Sequence, residues 1–440
     1  MRGRFAKVSR WLSVMAVAGI LSLPTQVLAL SVNTNDIVDG AVTDAKITGP
    51  ISGSKLGAHA HNGSDIVNGT ITSGKIADGA VTNAKISGTI GVEKVAVYSG
   101  EKIVHKGIAD GVNTFNSIQT AIDSITDASE NNPYLIKVMP GVFVGSVTLK
   151  PYVRIDGSGK DNTIITIQSD INNYTISCAD NTSINSVTVK YDNTIQGSVL
   201  TLQQDATVSL EQVKIVMPNN VYVPAISGTS NNAVTLNNVH ILLESGTTNG
   251  ADLGIVMWNS NNRYINIKNS FIEMNSGTTN VAVAALVESA DTNISDTDIK
   301  VTSSSGEIEA LDVGSNVRLY NCRINVNNIN PGSAFQGMSG KFEIYNSTIT
   351  VSGAVTYAIT LYEDSVINNS TIVSGQNGID MRANVKINNS VLSTAGTALN
   401  KQYGSFKIGN SQLIGSHNGV VGIDRIKNCY DINYDAVPEI

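Results

Sequence analysis

The chain has 440 residues, 41% of them apolar and only 15% charged, with 48 Asn and 39 Gly against 9 Pro. That apolar content and length can bury a large core, which excludes a chain left disordered for want of apolar residues. The low charge and the wealth of Asn, Gly, Ser and Thr fit many short strands joined by tight turns better than an α-helical or Rossmann-type protein.

Residues 1–29 have the form of a secretory signal peptide: Arg2, Arg4, Lys7 and Arg10, then the apolar stretch from Trp11 to Leu23, then Val27-Leu28-Ala29 as a small-residue cleavage site. The alternative is an uncleaved anchor helix. No second long apolar run follows, so no membrane span is expected after signal removal, and the protein is expected to be secreted or on the cell surface, or periplasmic in a two-membrane bacterium. Removing four of the 29 basic residues leaves 25 against 36 acidic ones, a net charge of −11. With no basic stripe visible along the chain, a nucleic-acid partner is not expected.

Residues 30–95 carry a nine- to ten-residue repeat. Gly40, Gly69 and Gly79 share one position, and Lys46, Lys55, Lys75, Lys85 and Lys94 close successive units. One or two apolar residues per unit cannot build a core within one chain. Either the segment is a linker or it buries its Ile/Val stripe against other chains, and the regular spacing favours an oligomerising stalk, most simply a homotrimer. It resembles the shaft repeats of bacteriophage tail fibres and related bacterial surface fibres. One divergent unit holds His59 and His61, which fall on the same side of an extended strand. Across a trimer axis they would supply six imidazoles, enough to hold iron or another transition metal, as the resemblance to tail-fibre His-x-His units implies. The alternative is two exposed histidines in a polar turn.

From residue 96 the pattern changes. Thr114 is a candidate helix N-cap, and Phe115, Ile118, Ile122 and Ile125 follow at helical spacing. Strands are predicted at Leu135–Val138, Val147–Leu149, Val153–Asp156 and Thr163–Ile167, with Pro140-Gly141 and Gly157-Ser158-Gly159 as turns. Further on, the pattern apolar, any, Asn, small recurs. Its third position is Ser186, Gln212, Asn238, Asn269, Asp296, Asn321, Asn346, Asn369, Asn389, Asn410 and Asn428, at intervals of 18–31 residues. Ile or Leu stands two positions before each. Repeats of this length containing two or three short strands predict an all-β, single-stranded parallel β-helix over residues 96–430, with a short N-terminal capping helix and a C-terminal tail at 431–440. Asn suits the tight turn because it tolerates left-handed backbone geometry.

The stretches 114–123, 136–143, 153–159 and 163–166 resemble the start of pectinesterases, a family of the wider pectin-lyase-like group with a right-handed parallel β-helix. The resemblance implies two Asp, an Arg and two Gln facing one groove. Those motifs are missing. Gly141-Val142-Phe143 is followed by Val144-Gly145 rather than by Glu, and Asn280–Leu286 echoes a Gln-bearing element without its Gln. Asn321-Cys322 has only Glu309-Ala310-Leu311-Asp312 before it.

Aligning the coils on their Asn anchors places Asp312, Gln336, Thr360, Asp380 and Asn400 at one strand position, expected to face outward as a ligand-binding column. Asp312, Asp380 and Arg382 are weak catalytic candidates. A solvated sheet face is the plainer explanation, and Trp258 and Tyr264 as a sugar-stacking platform compete with ordinary turn aromatics. Cys178, Cys322 and Cys429 form neither a disulfide framework nor a metal set and are expected to be buried. Three functional classes stay open: a secreted structural or adhesive protein whose polar face binds polysaccharide without esterase catalysis, a divergent carbohydrate-active enzyme acting on uronic-acid polymers, and a reused phage tail spike, against which the signal peptide argues.

Overall fold

The computed structural model describes residues 100–168, 172–192, 196–217, 223–228, 230–243, 252–257, 263–276, 282–287, 290–303, 308–328, 333–337, 340–419, 425–431, 433 and 436–437. Residues 1–29, expected to be a signal peptide, the 30–95 repeats, His59, His61 and Trp258 lie outside them.

The Asn anchors decide the architecture. All eleven positions adopt left-handed backbone, with φ between 47° and 56°. Each turns the chain sharply out of a strand of one sheet into a strand of the next. The turns also bond to one another along the stack: the N–H of Ser186 donates to Glu211 O, that of Gln212 to Asn237 O, and so on to Asn410 and Lys427 O, at 3.0–3.2 Å. Ladders between anchor side chains form at Asn321 Nδ2 to Asp296 Oδ1, 3.1 Å, and at Asn428 Nδ2 to Asn410 Oδ1, 3.3 Å.

The strands before the anchors form one sheet that is fifteen strands wide among the described residues, and every pairing in it is parallel. Its inward column runs in register through Ile136, Ile155, Ile184, Leu210, Leu236, Ile267, Ile294, Leu319, Ile344, Ile367, Ile387, Ile408 and Ile426. All are buried, and each contributes about 1.5–3 kcal/mol by leaving water. Strands after the anchors form a second parallel ladder, from Thr163–Ile167 through Thr188–Tyr191 to Gln412–Asn418. A third set closes each coil, from Val147–Thr148 and Tyr174–Cys178 early on to Tyr357–Leu361 and Asn377–Met381 late. Repeated parallel strands joined by crossovers of one hand make this a parallel β-helix, right-handed as such crossovers are.

The small residue after each anchor has its own role. In the later coils it is Ser270, Thr297, Cys322, Ser347, Ser370, Ser390, Ser411 and Cys429. The N–H of Ser347 donates to Ser370 Oγ, that of Ser370 to Ser390 Oγ and that of Ser390 to Ser411 Oγ, at 3.1–3.2 Å. Each hydroxyl donates in turn to the carbonyl two residues back, at 2.7–2.8 Å. The hydroxyl thereby satisfies an inward N–H that the turn would leave bare. Cys322 and Cys429 occupy rungs of this ladder. All three cysteines are buried and outside any disulfide, and burial pushes the Cys178 thiol up to about 12 and that of Cys322 to about 11.

At the N-terminal end the helix is shorter than expected. The helix α1 covers only Ile118–Asp123, and its N-cap is Ser117, whose hydroxyl accepts the Thr120 N–H at 3.1 Å. Thr114 is not the cap. Thr114–Phe115 is a two-residue strand paired with Ile103 and Val104, so Phe115 is buried through sheet pairing rather than as a helix face. Ile118, Ala121 and Ile122 of α1 are buried against the first strands and close the end of the core. Beyond residue 430, Val437 packs against the core and its N–H donates to Cys429 O. Among the described residues no helix is long and apolar enough to cross a membrane.

Candidate functional site

The column expected from the coil alignment exists. Asp312 pairs in register with Gln336, Gln336 with Thr360, Thr360 with Asp380 and Asp380 with Asn400. Ile359, Leu361, Ile379 and Met381 alternate with these residues and are buried in the core, so the column lies on the outer side of its sheet. It is not the open polar stripe expected, however. Thr360 is 4% exposed and Asp380 only 2%.

The covering groups are the neighbours' own side chains. Asn400 Nδ2 donates to Asp380 Oδ1 at 2.8 Å and Arg382 Nε donates to Asp380 Oδ2 at 3.1 Å. Arg382 Nη1 reaches the Tyr362 hydroxyl at 2.9 Å, its guanidinium 4.7 Å from that ring. Asn400 Nδ2 also donates to the Tyr357 hydroxyl at 2.8 Å, and Ser333 and Thr360 share a hydroxyl contact of 2.7 Å. Burial first, and then the charge of Asp380, raise the Tyr357 phenol above its usual range. Both Asp380 oxygens are therefore engaged. This pairing is also what permits the charge to be buried.

Asp312 lies three register steps from Asp380, about 14 Å at the ordinary strand spacing. Acid–base pairs in glycosidases stand no more than about 9.5 Å apart. The two weak catalytic candidates thus do not form such a pair. Tyr264, the aromatic candidate within the described residues, is half-buried in the fifteen-strand sheet, where it pairs with Ala233 and Asp291.

The sequence reading passed over the outer face of that fifteen-strand sheet. There, positions one and three before each anchor point outward, flanking the buried Ile or Leu between them. From Arg154 and Asp156 to Lys427, the described side chains of these two columns stay at least partly exposed. A cleft of about 470 Å³ lies over the first coils, among Arg154, Asp156, Asn185, Ser209, Glu211 and Thr235. Asn185 Nδ2 donates to Asp156 Oδ1 at 3.0 Å, and Asn237 Nδ2 to the two Glu211 oxygens at 3.0 and 2.8 Å. Asp156 and Glu211 are two register steps apart, about 10 Å, with Asn185 between them. The signal for this face was present in the anchor alignment, in the residues on either side of each Ile or Leu.

A second cleft, of about 480 Å³, lies beside α1 among Lys106, Asn116, Gln119, Val142 and Gly145. Lys106 Nζ donates to Val142 O at 3.1 Å and Gln119 Oε1 accepts the Thr148 N–H at 2.7 Å, so these groups serve the cap. The described histidines, His105, His240 and His417, are dispersed. Burial lowers the imidazoles of His240 and His417 below the usual value. Among the described residues no three His, Cys, Asp or Glu side chains converge as a metal site.

Stacked coils with a closed core and solvent-facing sheet columns define a protein of the parallel β-helix class. No protein-family model matches the chain, and no curated protein does. Among solved structures it is similar to the pectin methylesterase PemA from Erwinia chrysanthemi, at 15% identity over 58% of this chain and 81% of that one, with a TM-score of 0.30. It is similar to a pectin methylesterase from carrot at 13% identity, over 79% and 90% of the two chains, TM-score 0.30. The catalytic domain of a GH87 alpha-1,3-glucanase in complex with nigerose matches at 13% identity, over 75% and 69%, TM-score 0.48. Likenesses this distant carry no functional argument.

Proposed function

We propose that the protein is an exported structural or adhesive β-helix that binds polysaccharide along a sheet face without esterase catalysis. The observation that carries this reading is the outer face of the fifteen-strand sheet, polar and at least partly exposed from Arg154 to Lys427. An extended hydrogen-bonding surface suits a polymer better than a small substrate, which an enclosing pocket would take up. The engagement of Asp380 by Arg382 and Asn400 supports the non-catalytic part. In the same reading residues 1–29 direct export and residues 30–95 hold three copies together, with His59 and His61 of each copy sharing a transition metal on the axis. Solution mass and metal content, for wild type and His59→Ala, test that assembly: a metal-free monomer would refute it.

One arrangement bears on the enzyme alternative: Asp156 and Glu211 line the same cleft two coils apart, with Asn185 between them. The experiment is a polysaccharide panel scored for both binding and turnover. Binding without released methanol, reducing ends or unsaturated products supports the proposal. Turnover that disappears in Asp156→Asn or Glu211→Gln overturns it in favour of hydrolysis at the cleft.

A further inference from the structure

We propose that the last six strands of the fifteen-strand sheet carry on their outer face a binding strip specific for acidic polysaccharide. Tyr320 and Tyr345 form its sugar-stacking platform, and Lys386, Lys407 and Lys427 meet the carboxylate or sulfate groups. The inference rests on the polysaccharide-binding reading above and deepens it by naming the ligand chemistry and the residues.

The two outward columns run in register as Arg318, Glu343, Val366, Lys386, Lys407 and Arg425, and as Tyr320, Tyr345, Asn368, Asn388, Gly409 and Lys427. Leu319, Ile344, Ile367, Ile387, Ile408 and Ile426 between them are buried, which puts the described side chains of both columns on the solvent side. The strip is about 24 Å long, five steps of the ordinary strand spacing.

Its charge pattern changes along its length. Its first two strands carry an ion pair, Arg318 with Glu343, as the strands after the anchors do with Lys300 and Glu273 at 2.8 Å and Arg323 and Asp298 at 3.5 Å. In the last three coils the pattern turns to one sign. Lys386 pairs with Lys407 and Lys407 with Arg425, and Lys427 follows two residues on. The three lysines are exposed, and none makes an ion pair among the described residues. Asp364, just before the strip's third strand at Ser365–Asn368, is occupied by the backbone and side-chain N–H groups of Asn384 at 3.0 and 2.8 Å. Like charges opposite each other destabilise a sheet, so the stack gains from an anion the fold itself does not supply. This corrects the expectation that the chain has no basic stripe: residues 18–21 apart in sequence become neighbours only once the coils stack.

Tyr320 is 49% exposed and Tyr345 half-buried directly beside it. An apolar ring face with a polar tip suits a sugar, whose ring presents C–H groups on one side and hydroxyls at the rim. Few cations on a chain of net charge −7 favour a sparsely charged glycan over nucleic acid, which needs many phosphate contacts to hold it.

The test uses the full chain with polygalacturonate, dextran sulfate, neutral dextran and a single-stranded polynucleotide, each titrated at two salt concentrations. The proposal expects both acidic glycans, or one of them, to bind in a salt-sensitive way, which tells carboxylate from sulfate as the preferred group. The double variant Lys386→Gln/Lys407→Gln should lose at least tenfold in that affinity, Lys386→Arg/Lys407→Arg should keep it, and Tyr320→Ala should weaken binding of glycans alone. Far-UV circular dichroism confirms that the variants fold. Glycan binding that is indifferent to charge and unchanged by the Lys→Gln pair overturns the strip while leaving the polysaccharide reading intact. Binding of no polysaccharide overturns both, and preferential binding of the polynucleotide overturns the choice of glycan.

Discussion

Asn321 allows the turn argument to be tested by two substitutions at one site. Its φ is 55°, it is exposed, and its side-chain amide donates to Asp296 Oδ1 at 3.1 Å. Alanine loses that bond, at most about 1 kcal/mol on an exposed face, and must also hold left-handed backbone, which costs about 1–2 kcal/mol. The expected total is about 1–3 kcal/mol. Glycine loses the same bond but adopts the geometry freely, at an added cost of about 0.4–1 kcal/mol from its more flexible unfolded chain. The expected order of stability is Asn, then Gly, then Ala, with Ala below Gly by about 1 kcal/mol on these figures. Urea unfolding followed by far-UV circular dichroism gives the comparison, provided the slope with denaturant is unchanged. An alanine variant as stable as the glycine variant would refute the claim that left-handed geometry makes these positions Asn.

Two further outcomes follow from the ladder and the buried imidazoles. Ser370→Ala should cost about 1–3 kcal/mol, because it strips the Ser347 N–H of its acceptor inside the turn, whereas Cys322→Ser should cost less than that, because a hydroxyl fills the same rung in the neighbouring coils; thermal melts of the pair check both. The His417 imidazole is lowered by burial, and its Nδ1 has no partner among the described residues. The unfolded chain therefore binds the proton first, so stability is full above about pH 6.5 and declines as pH falls toward the lowered folded value; His417→Gln should flatten that decline, and an unchanged pH profile would show that another group causes it.

The sequence alone carried the architecture because a solenoid repeats one local decision. Each coil needs a left-handed turn, and Ser186 through Asn428 wrote that need at intervals that could be counted. The Ile or Leu two positions earlier likewise had to be interior. The same alignment put Asp312, Gln336, Thr360, Asp380 and Asn400 in one column, because register in a parallel stack follows from the anchors. What it could not give was the state of that column. Whether Asp380 is open or sealed depends on Arg382 folding back over it and on Asn400 reaching across from the next coil, and these are contacts between side chains. The extent of α1 was hidden for a similar reason: Phe115 at helical spacing is as well buried by pairing with Val104, and tertiary pairing outweighed the local pattern. The lysine strip depended on stacking too. Lys386, Lys407 and Lys427 are scattered charges along an acidic chain, and only the winding, which sets each coil a strand's width above the last, gathers them on one face.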